Sequence, residues 1–329
     1  ATPQEIEHVR ARISEAGLEP HAIVGTEVTV FGAVGDERGL EPDYFATCPG
    51  VQRVVPILAP YKRASRELHP ETSVIRVGPA AIGSKAVALI AGPCTVECRS
   101  QLLETAHAVK EAGAVGLRGG AFKPRTSPYE FQGMAEDGLE LLALAREETG
   151  LPVYTEVLTP SDIPLVAKYA DVLQVGARNM QNFLLLTELG KCGKPVLLKR
   201  GIAAQMDEWL LAAEYILKNG NPDVILGERG VRTFEKHTRN TLALSSVPFV
   251  HAKSHLPVLV DPSHGTGQRD MVIPMSLAAI AAGADAIMVE VHIDPEKALV
   301  DGAQSLTPAQ FADLVKRARA VAEAVGRTV

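Results

Sequence analysis

From Val74 onward, one pattern repeats along the chain: short runs of Val, Ile and Leu alternate with amphipathic helical segments, several of which end at glycine. Continuous apolar runs of this kind are typical of parallel strands buried on both faces, and their alternation with helices indicates βαβ units. Eight runs predict an α/β fold, a closed (β/α)8 TIM barrel, and no G-x-G-x-x-G follows the first run to favour an open dinucleotide-binding sheet. The predicted strands cover 87–92, 114–118, 152–157, 172–176, 195–200, 224–229, 257–263 and 286–291.

The first 65 residues predict a separate small α+β module. The pattern indicates a helix at 5–17, strands at 21–25 and 26–35, a short segment at 43–48 and a last strand at 51–58. We therefore expect a module at 1–65, a linker at 66–73 and the barrel at 74–329. The stretch SVIRVGPAAIG (73–83) is expected to cap the bottom of the barrel.

Composition excludes several classes of function. Lys and Arg number 33 against 39 Asp and Glu, a net charge of −6, and aromatic residues are 5% of the chain. An acidic chain poor in aromatic residues lacks a general affinity for nucleic acid or anionic membranes, so an anion site must be local. Four cysteines are too few for a disulfide framework in 329 residues, and the first residues lack the apolar core of a signal peptide. We expect a cytoplasmic protein.

Cationic side chains collect at the predicted C-terminal strand ends, where the active sites of such barrels lie. Each alone could be a solvated surface charge, but six crowded at one mouth repel each other unless anions neutralise them. Because a phosphate carries about −1.5 to −2 charge at neutral pH, one phosphate is too little, whereas two phosphates and a carboxylate nearly suffice. The six are Arg118, Lys123, Arg125, Arg178, Lys199 and Arg229.

A second group at the same strand ends offers metal ligands. Cys94, His264, Glu290 and Asp301 follow strands 1, 7 and 8, which are neighbours once the barrel closes. A lone Cys is commonly a small buried apolar residue, and a lone His is commonly structural. Together, a thiolate, an imidazole and two carboxylates predict one divalent ion of the Mn, Fe, Co or Zn type.

Seven motifs carry a resemblance to a known family: AGPCTVE, GLRGGAFKPRTSPYEFQG, QVGARNMQNF, VLLKRG, GERGVRTFEKHTRNTLAL, LVDPSHGTGQRD and VEVHIDPEKALVDGAQSL. They resemble the 3-deoxy-D-arabino-heptulosonate 7-phosphate (DAHP) synthases of the type I-beta subgroup over nearly all of 74–329. The resemblance implies condensation of phosphoenolpyruvate with erythrose 4-phosphate, the first step of the shikimate pathway and of aromatic amino acid biosynthesis.

Site roles follow from the same resemblance. It implies that the metal ligands are Cys94, His264, Glu290 and Asp301, and that phosphoenolpyruvate contacts Arg118, Lys123, Glu156, Ala177, Arg178, Lys199 and Arg229. It implies that erythrose 4-phosphate contacts Arg125, Thr126 and Ser127. Catalysis is assigned to Lys123, Cys94 and His264, with Lys123 as proton donor because lysine pKa values fall readily among other cations. Arg200 and Asp261 receive no role.

The N-terminal module resembles the ferredoxin-like (ACT-like) regulatory domain that some members carry, which implies feedback inhibition by tyrosine or phenylalanine. Its order of elements lacks the leading strand of a complete βαββαβ fold, which leaves this inference open. The resemblance also implies a homotetramer.

Three hypotheses compete with this one, and the first, a generic metal-dependent aldolase on the same barrel, leaves the recognition of two anions unexplained. The 3-deoxy-octulosonate 8-phosphate synthases use arabinose 5-phosphate on the same fold, but they usually carry a segment like KANRSS where this chain has KPRTS (123–127). A non-catalytic effector-binding partner of chorismate mutase should have lost metal ligands or substrate cations, and here none is missing.

Overall fold

The structure, a computed structural model, describes residues 1–25, 28–35, 40, 43–55, 60–125 and 127–329. Its N-terminal module begins with helix α1 (Pro3–Glu15), which Thr2 caps in a reciprocal capping box with Glu5. Strands β1 (Glu19–Val24) and β2 (Thr29–Val34) pair antiparallel, and the short helix α2 (Asp43–Ala46) follows. The predicted small α+β module is confirmed.

The last predicted strand of this module is wrong where the structure describes it. Residues 51–55 have no strand pairing, and residues 56–58 of the prediction lie outside the described residues. Among the described residues, no strand pairs with VQRVV (51–55). An alternating apolar pattern does not make a strand unless a neighbouring strand edge is available for pairing.

The segment at 61–73 is packed against the barrel. Tyr61 and Ala64 are buried in the main hydrophobic core. The backbone N–H groups of Arg63 and Ala64 donate to the two carboxylate oxygens of Glu214, at 2.8 and 2.9 Å. His255 is buried beneath the segment and contacts the Arg63 carbonyl through Nε2 at 2.8 Å. Polar contacts thus hold this connection in place on the barrel surface.

A hairpin closes the bottom of the barrel, as predicted. Strands β3 (Ile75–Val77) and β4 (Ala80–Ile82) pair antiparallel, and their apolar side chains are buried. They pack with barrel-interior residues such as Tyr154, Leu197 and Met288 in one cluster. The hairpin thus fills the lower end of the barrel with apolar side chains.

The eight predicted barrel strands are all present and form a closed parallel barrel. They are β5 (Ala88–Gly92), β6 (Gly116–Arg118), β7 (Val153–Glu156), β8 (Val172–Val175), β9 (Val196–Lys199), β10 (Val224–Glu228), β11 (Val258–Val260) and β12 (Ala286–Glu290). Nearly every strand residue is buried, as expected for strands covered on both faces.

Helices cover the outside of the barrel. They are α3 (Arg99–Ala112), α4 (Ala135–Thr149), α5 (Ile163–Tyr169), α6 (Phe183–Leu189), α7 (Met206–Lys218), α8 (Ser246–Lys253), α9 (Pro262–Thr266), α10 (Arg269–Ala281) and α11 (Pro308–Ala324). Gly113 ends α3 at a φ of 109°, a left-handed conformation that favours glycine. Among the described residues, no helix combines the length and apolar character that crossing a bilayer requires. The predicted α/β barrel fold is confirmed.

Candidate metal centre and anion-binding cavity

A cavity of about 460 Å³ opens at the mouth where the barrel strands end. Its walls are dominated by cationic side chains, with few acids among them. Ten predicted site residues line it: Arg118, Lys123, Arg125, Glu156, Ala177, Arg178, Lys199, Arg229, His264 and Asp301. The sequence therefore predicted most of the wall.

Three further predictions fall elsewhere. Cys94 and Glu290 are buried and do not line the cavity wall. Ser127 is absent from the lining and accepts a hydrogen bond from the Tyr129 backbone N–H through its hydroxyl at 3.4 Å. Thr126 lies outside the described residues.

The four predicted metal ligands come together. One ligand atom from each of Cys94, His264, Glu290 and Asp301 lies within 4.8 Å of all the others. Their donors are a sulfur, an imidazole nitrogen and two carboxylate oxygens, a set that suits a borderline divalent transition metal better than Mg²⁺ or Ca²⁺. The donor set thus fits the metal that the sequence predicts.

Asp261 orients the imidazole of His264. It caps the N-terminus of α9: one carboxylate oxygen accepts from the His264 backbone N–H at 3.0 Å, and the other contacts His264 Nδ1 at 2.8 Å. The Nδ1–H contact leaves Nε2 as the free ring nitrogen, 3.3 Å from Glu290 Oε1. Burial also lowers the pKa of His264, which favours the neutral ring that binds metals. Asp261, which the sequence left without a role, therefore supports the candidate centre.

Cys94 and Asp301 complete the group. Cys94 Sγ lies 3.3 Å from Asp301 Oδ2, and burial together with the Glu290 charge raises the pKa of this thiol. A coordinating metal deprotonates a thiol outright, so a bound cation would stabilise the Cys94 thiolate beside these carboxylates. Asp301 has a left-handed backbone with φ 55°, which costs a non-glycine residue energy and turns its carboxylate toward Cys94.

Several of the cations contact an acidic side chain. Arg118 donates to Glu290 Oε1 at 2.6 Å, and Lys199 donates to Asp261 Oδ2 at 2.5 Å. In such buried pairs, the attraction between the two charges offsets the cost of removing them from water. These cations therefore do not by themselves require an external anion. The prediction that all six cations need external anions is therefore too strong. Arg125 is paired as well, with Glu130 at 2.9 Å.

Among the described residues, Arg178 and Arg229 form no ion pair with an acidic side chain, although the charges of Asp261 and Glu228 favour the charged form of Arg229. Arg178 donates only to the Pro124 carbonyl, at 3.3 Å, among the described residues. Arg229 is 7% exposed, and its buried NH1 has no hydrogen-bond partner among the described residues. Burial lowers the pKa of the Arg229 guanidinium, so its charge is held at a cost. A buried donor without a partner at the wall of a cationic cavity indicates an anion site.

The charge on Lys123 corrects one expectation. Its Nζ lies 2.9 Å from Cys94 Sγ. Although burial opposes the charged form, the proximity of Cys94 and Glu290 raises the pKa of Lys123. The expectation that cationic neighbours lower it is wrong, because the effects of Cys94 and Glu290 outweigh that of Arg118.

Glu156 lines the cavity and accepts from Gln174 Nε2 at 3.2 Å. The wall beside it is tight, since a Cβ at Gly176 would lie 2.2 Å from Glu156 Oε1. Arg200, which received no role, pairs with the buried Glu228 at 3.0 Å and does not line the cavity.

Sequence reasoning missed several polar residues at this mouth, three of which bear on the candidate centre or its cationic wall. Arg232 and Arg239 line the cavity but lie beyond the end of β10, so an inventory of strand ends passes over them. Gln304 is buried and donates to Glu290 Oε2 at 2.7 Å. Its only sequence signal is its place three residues after Asp301 in the quoted DGAQSL motif.

Comparisons with known proteins show the family of this chain. The model of the DAHP synthetase I family matches residues 71–325, and that of the DAHP synthase ferredoxin-like domain matches residues 1–59. The chain is 52% identical over 326 residues to phospho-2-dehydro-3-deoxyheptonate aldolase of Thermotoga maritima, covering 99% of this chain and 96% of the relative. A 2-dehydro-3-deoxyphosphooctonate aldolase of Syntrophobacter fumaroxidans is 31% identical over 254 residues, covering 72% of this chain and 87% of that protein.

Solved structures show the same likeness. The crystal structure of the Thermotoga maritima enzyme superposes with a TM-score of 0.82 over all of this chain and 96% of that one. A truncated form of the 3-deoxy-D-arabino-heptulosonate 7-phosphate synthase from the same organism gives a TM-score of 0.77, covering 82% of this chain and 99% of that one, also at 52% identity. The chain therefore belongs to the DAHP synthetase I family, with a DAHP synthase ferredoxin-like domain at its N-terminus.

Proposed function

We propose that this chain is a transferase, a 3-deoxy-7-phosphoheptulonate (DAHP) synthase. It condenses phosphoenolpyruvate with erythrose 4-phosphate and water to give DAHP and phosphate, the first step of the shikimate pathway. One observation carries the proposal beyond family membership: a group of four metal-ligand side chains adjoins a cavity in which the buried NH1 of Arg229 has no hydrogen-bond partner among the described residues.

One divalent ion of the Mn, Fe, Co or Zn type would be held by Cys94, His264, Glu290 and Asp301. When bound, it supplies Lewis-acid polarisation of the aldehyde oxygen of erythrose 4-phosphate. The neutral Nε2 of His264 and the closeness of the other three donors support this assignment.

The cations of the cavity are assigned to the two substrates. Phosphoenolpyruvate carries a phosphate and a carboxylate, which bidentate guanidinium groups and lysines recognise. Its contacts are proposed to be Arg118, Lys123, Arg178, Lys199 and Arg229, with Glu156 and the Ala177 backbone. The phosphate of erythrose 4-phosphate is assigned to Arg125, Thr126 and Ser127. The buried NH1 of Arg125, which has no partner among the described residues, supports this second anion site.

The chain's own residues then act mainly by positioning and electrostatics. They hold two mutually repelling anions at reacting distance while C3 of phosphoenolpyruvate forms a bond to the aldehyde carbon. Lys123, which lies beside Cys94 at the cavity wall and is protonated at neutral pH like an ordinary lysine, donates a proton to the developing alkoxide. Water adds at C2, the proton it loses restores the charged form of Lys123, and phosphate leaves by cleavage of its bond to that carbon.

Regulation and assembly are proposed by family likeness. The ferredoxin-like domain, proposed to span 1–65 and joined by 66–73 to the barrel at 74–329, would bind tyrosine or phenylalanine and inhibit. The chain would act as a homotetramer in the cytoplasm, a compartment in keeping with its four free cysteines.

A phosphate-release assay tests the function. Phosphoenolpyruvate is incubated with erythrose 4-phosphate or, separately, with arabinose 5-phosphate, with and without a chelator. We expect release with erythrose 4-phosphate that chelation abolishes and added Mn²⁺ restores. Preference for arabinose 5-phosphate would instead assign the octulosonate reaction of the 31% identical relative. No release with either sugar, in protein that binds metal, would favour a non-catalytic effector-binding role. Tyrosine and phenylalanine are then added to the active mixture to test inhibition.

A further inference from the structure

The two oxygens of Glu290 have different partners. Oε1 accepts from Arg118 at 2.6 Å and faces His264 Nε2 at 3.3 Å, on the side of the candidate metal ligands. Oε2 instead accepts from the side-chain amide of Gln304 at 2.7 Å. Since Glu290 is fully buried, no solvent competes for either oxygen. Gln304 therefore occupies Oε2, and Oε1, which it shares with Arg118, is the Glu290 oxygen that faces the other candidate ligands.

Gln304 also contacts the other carboxylate ligand through the backbone. Its N–H donates to the Asp301 carbonyl at 3.2 Å, across the turn in which Asp301 adopts its left-handed conformation. Two residues after Gln304, the chain is attached to the end of β12, because the Leu306 N–H donates to the Glu290 carbonyl at 2.9 Å. One buried residue thus links the two carboxylates that offer oxygen atoms to the metal.

Arg239 closes this network from the cavity side. Its NH1 donates to Asp301 Oδ1 at 3.3 Å and to the Gln304 side-chain oxygen at 3.2 Å. The second contact fixes which end of the Gln304 amide faces Glu290, because the oxygen accepts from Arg239 and the nitrogen donates to the carboxylate. The hydrogen bonds therefore run from Arg239 at the cavity wall, through the neutral side-chain amide of Gln304, to the candidate metal ligand Glu290.

We propose that Gln304 is a positioning residue of the metal centre, with Arg239 as its outer partner: it holds Glu290 as a one-oxygen ligand and sets its distance from Asp301. The proposal rests on the metal centre of the proposed function. Partners of this outer kind fix ligand orientation, and their loss typically weakens metal binding about 10- to 100-fold.

The test is Mn²⁺ affinity of the metal-free protein, measured by competition with a chelator of known affinity. Gln304→Met keeps length and apolar bulk while removing both hydrogen bonds. Gln174→Met is the matched control, since Gln174 is also buried and donates to a glutamate of the same mouth, Glu156, at 3.2 Å. Arg239→Met and Arg239→Lys test the outer partner, whose side chain is 41% exposed and tolerates replacement.

We expect Gln304→Met to weaken Mn²⁺ binding about 10- to 100-fold, with Gln174→Met within twofold of the parent. Arg239→Met should give a smaller loss, which Arg239→Lys partly restores. The thiolate charge-transfer absorption of the Co²⁺-loaded Gln304→Met protein should persist, because Cys94 still binds. An affinity of Gln304→Met within twofold of the parent, or an equal loss in Gln174→Met, would overturn the proposal.

If Gln304→Met does not purify as folded protein, Arg239→Met decides by the same twofold criterion. A parent protein that binds no Mn²⁺ would refute the metal centre of the proposed function, an outcome distinct from failure of the Gln304 assignment. Turnover enters none of these measurements, so the preferred sugar does not affect them.

Discussion

Replacing Arg229 should change the free energy of unfolding in the direction opposite to that expected for most buried residues. Its guanidinium is 7% exposed, and NH1 has no hydrogen-bond partner among the described residues. Burial is the largest influence on its pKa and lowers it; Arg239 and Arg178 act in the same direction, while Asp261 and Glu228 oppose them without reversing the shift. Replacing this side chain with methionine should therefore stabilise the substrate-free protein while weakening substrate binding.

The magnitude follows from the unpaired donor. A buried donor without an acceptor costs about 1–3 kcal/mol, so Arg229→Met should raise the free energy of unfolding by about that much. In a chain of this size the midpoint should rise by roughly 1–4 °C. Charge-assisted hydrogen bonds to a substrate anion contribute about 1.5–3 kcal/mol, which predicts a loss of about 10- to 150-fold in phosphoenolpyruvate affinity.

Arg200→Met is the matched control, because Arg200 lies one strand away and is equally buried but paired. Its NH1 donates to Glu228 Oε2 at 3.0 Å, and Glu228 is fully buried. Removing one partner of such a pair destabilises by about 3–5 kcal/mol, the opposite sign to Arg229→Met. Thermal unfolding in phosphate-free buffer compares the two variants, and calorimetric titration with phosphoenolpyruvate measures affinity.

The reasoning would be refuted if Arg229→Met lowered the midpoint as Arg200→Met does. That result would mean that the Arg229 charge is compensated within the protein. Unchanged phosphoenolpyruvate affinity would separately remove Arg229 from the substrate site.

Three further predictions follow. Lys123→Met should keep the fold and retain bound metal while turnover falls at least about 100-fold, the usual scale for a lost proton donor; near-normal turnover, with metal content measured alongside, would exclude that role. Removing metal with a chelator should abolish phosphate release and lower the unfolding midpoint, and Mn²⁺ should restore both; activity that survives in demonstrably metal-free protein would contradict this. Burial, with smaller effects from His69 and Arg66, lowers the pKa of His255 to about 4. The neutral ring therefore stabilises the fold fully above pH 6.5, the pKa of the unfolded chain, and this contribution is lost as the pH falls through about 4. This contribution is roughly 3 kcal/mol, and urea unfolding from pH 7 to 4 should show a shallower pH dependence in His255→Gln than in the parent.

The barrel could be predicted from the sequence because its physics is local. Strands buried on both faces must be continuous apolar runs, and the glycines that end helices mark the connections between them. The strand predicted at 51–58 failed in its described part because a strand requires a neighbouring edge, which the local sequence does not specify.

The site was predictable to the extent that strand ends determine it. Cys94, His264 and Glu290 lie at or just beyond strand ends, so closure of the barrel brings them together. The contacts of Gln304 and Arg239 depend on loop conformations and on partners far away in sequence, such as Arg239 with Asp301. The direction of the Lys123 pKa shift likewise depends on a contact with Cys94 that no spacing rule provides.

The most direct test of the central claim is anomalous diffraction from crystals of the Mn²⁺-loaded protein grown with phosphoenolpyruvate. The account predicts one manganese peak bound by Cys94, His264, Glu290 and Asp301, with the phosphate and carboxylate of phosphoenolpyruvate on the cationic wall and an acceptor on Arg229 NH1. Manganese elsewhere, or phosphoenolpyruvate bound away from Arg229 and Arg178, would contradict it.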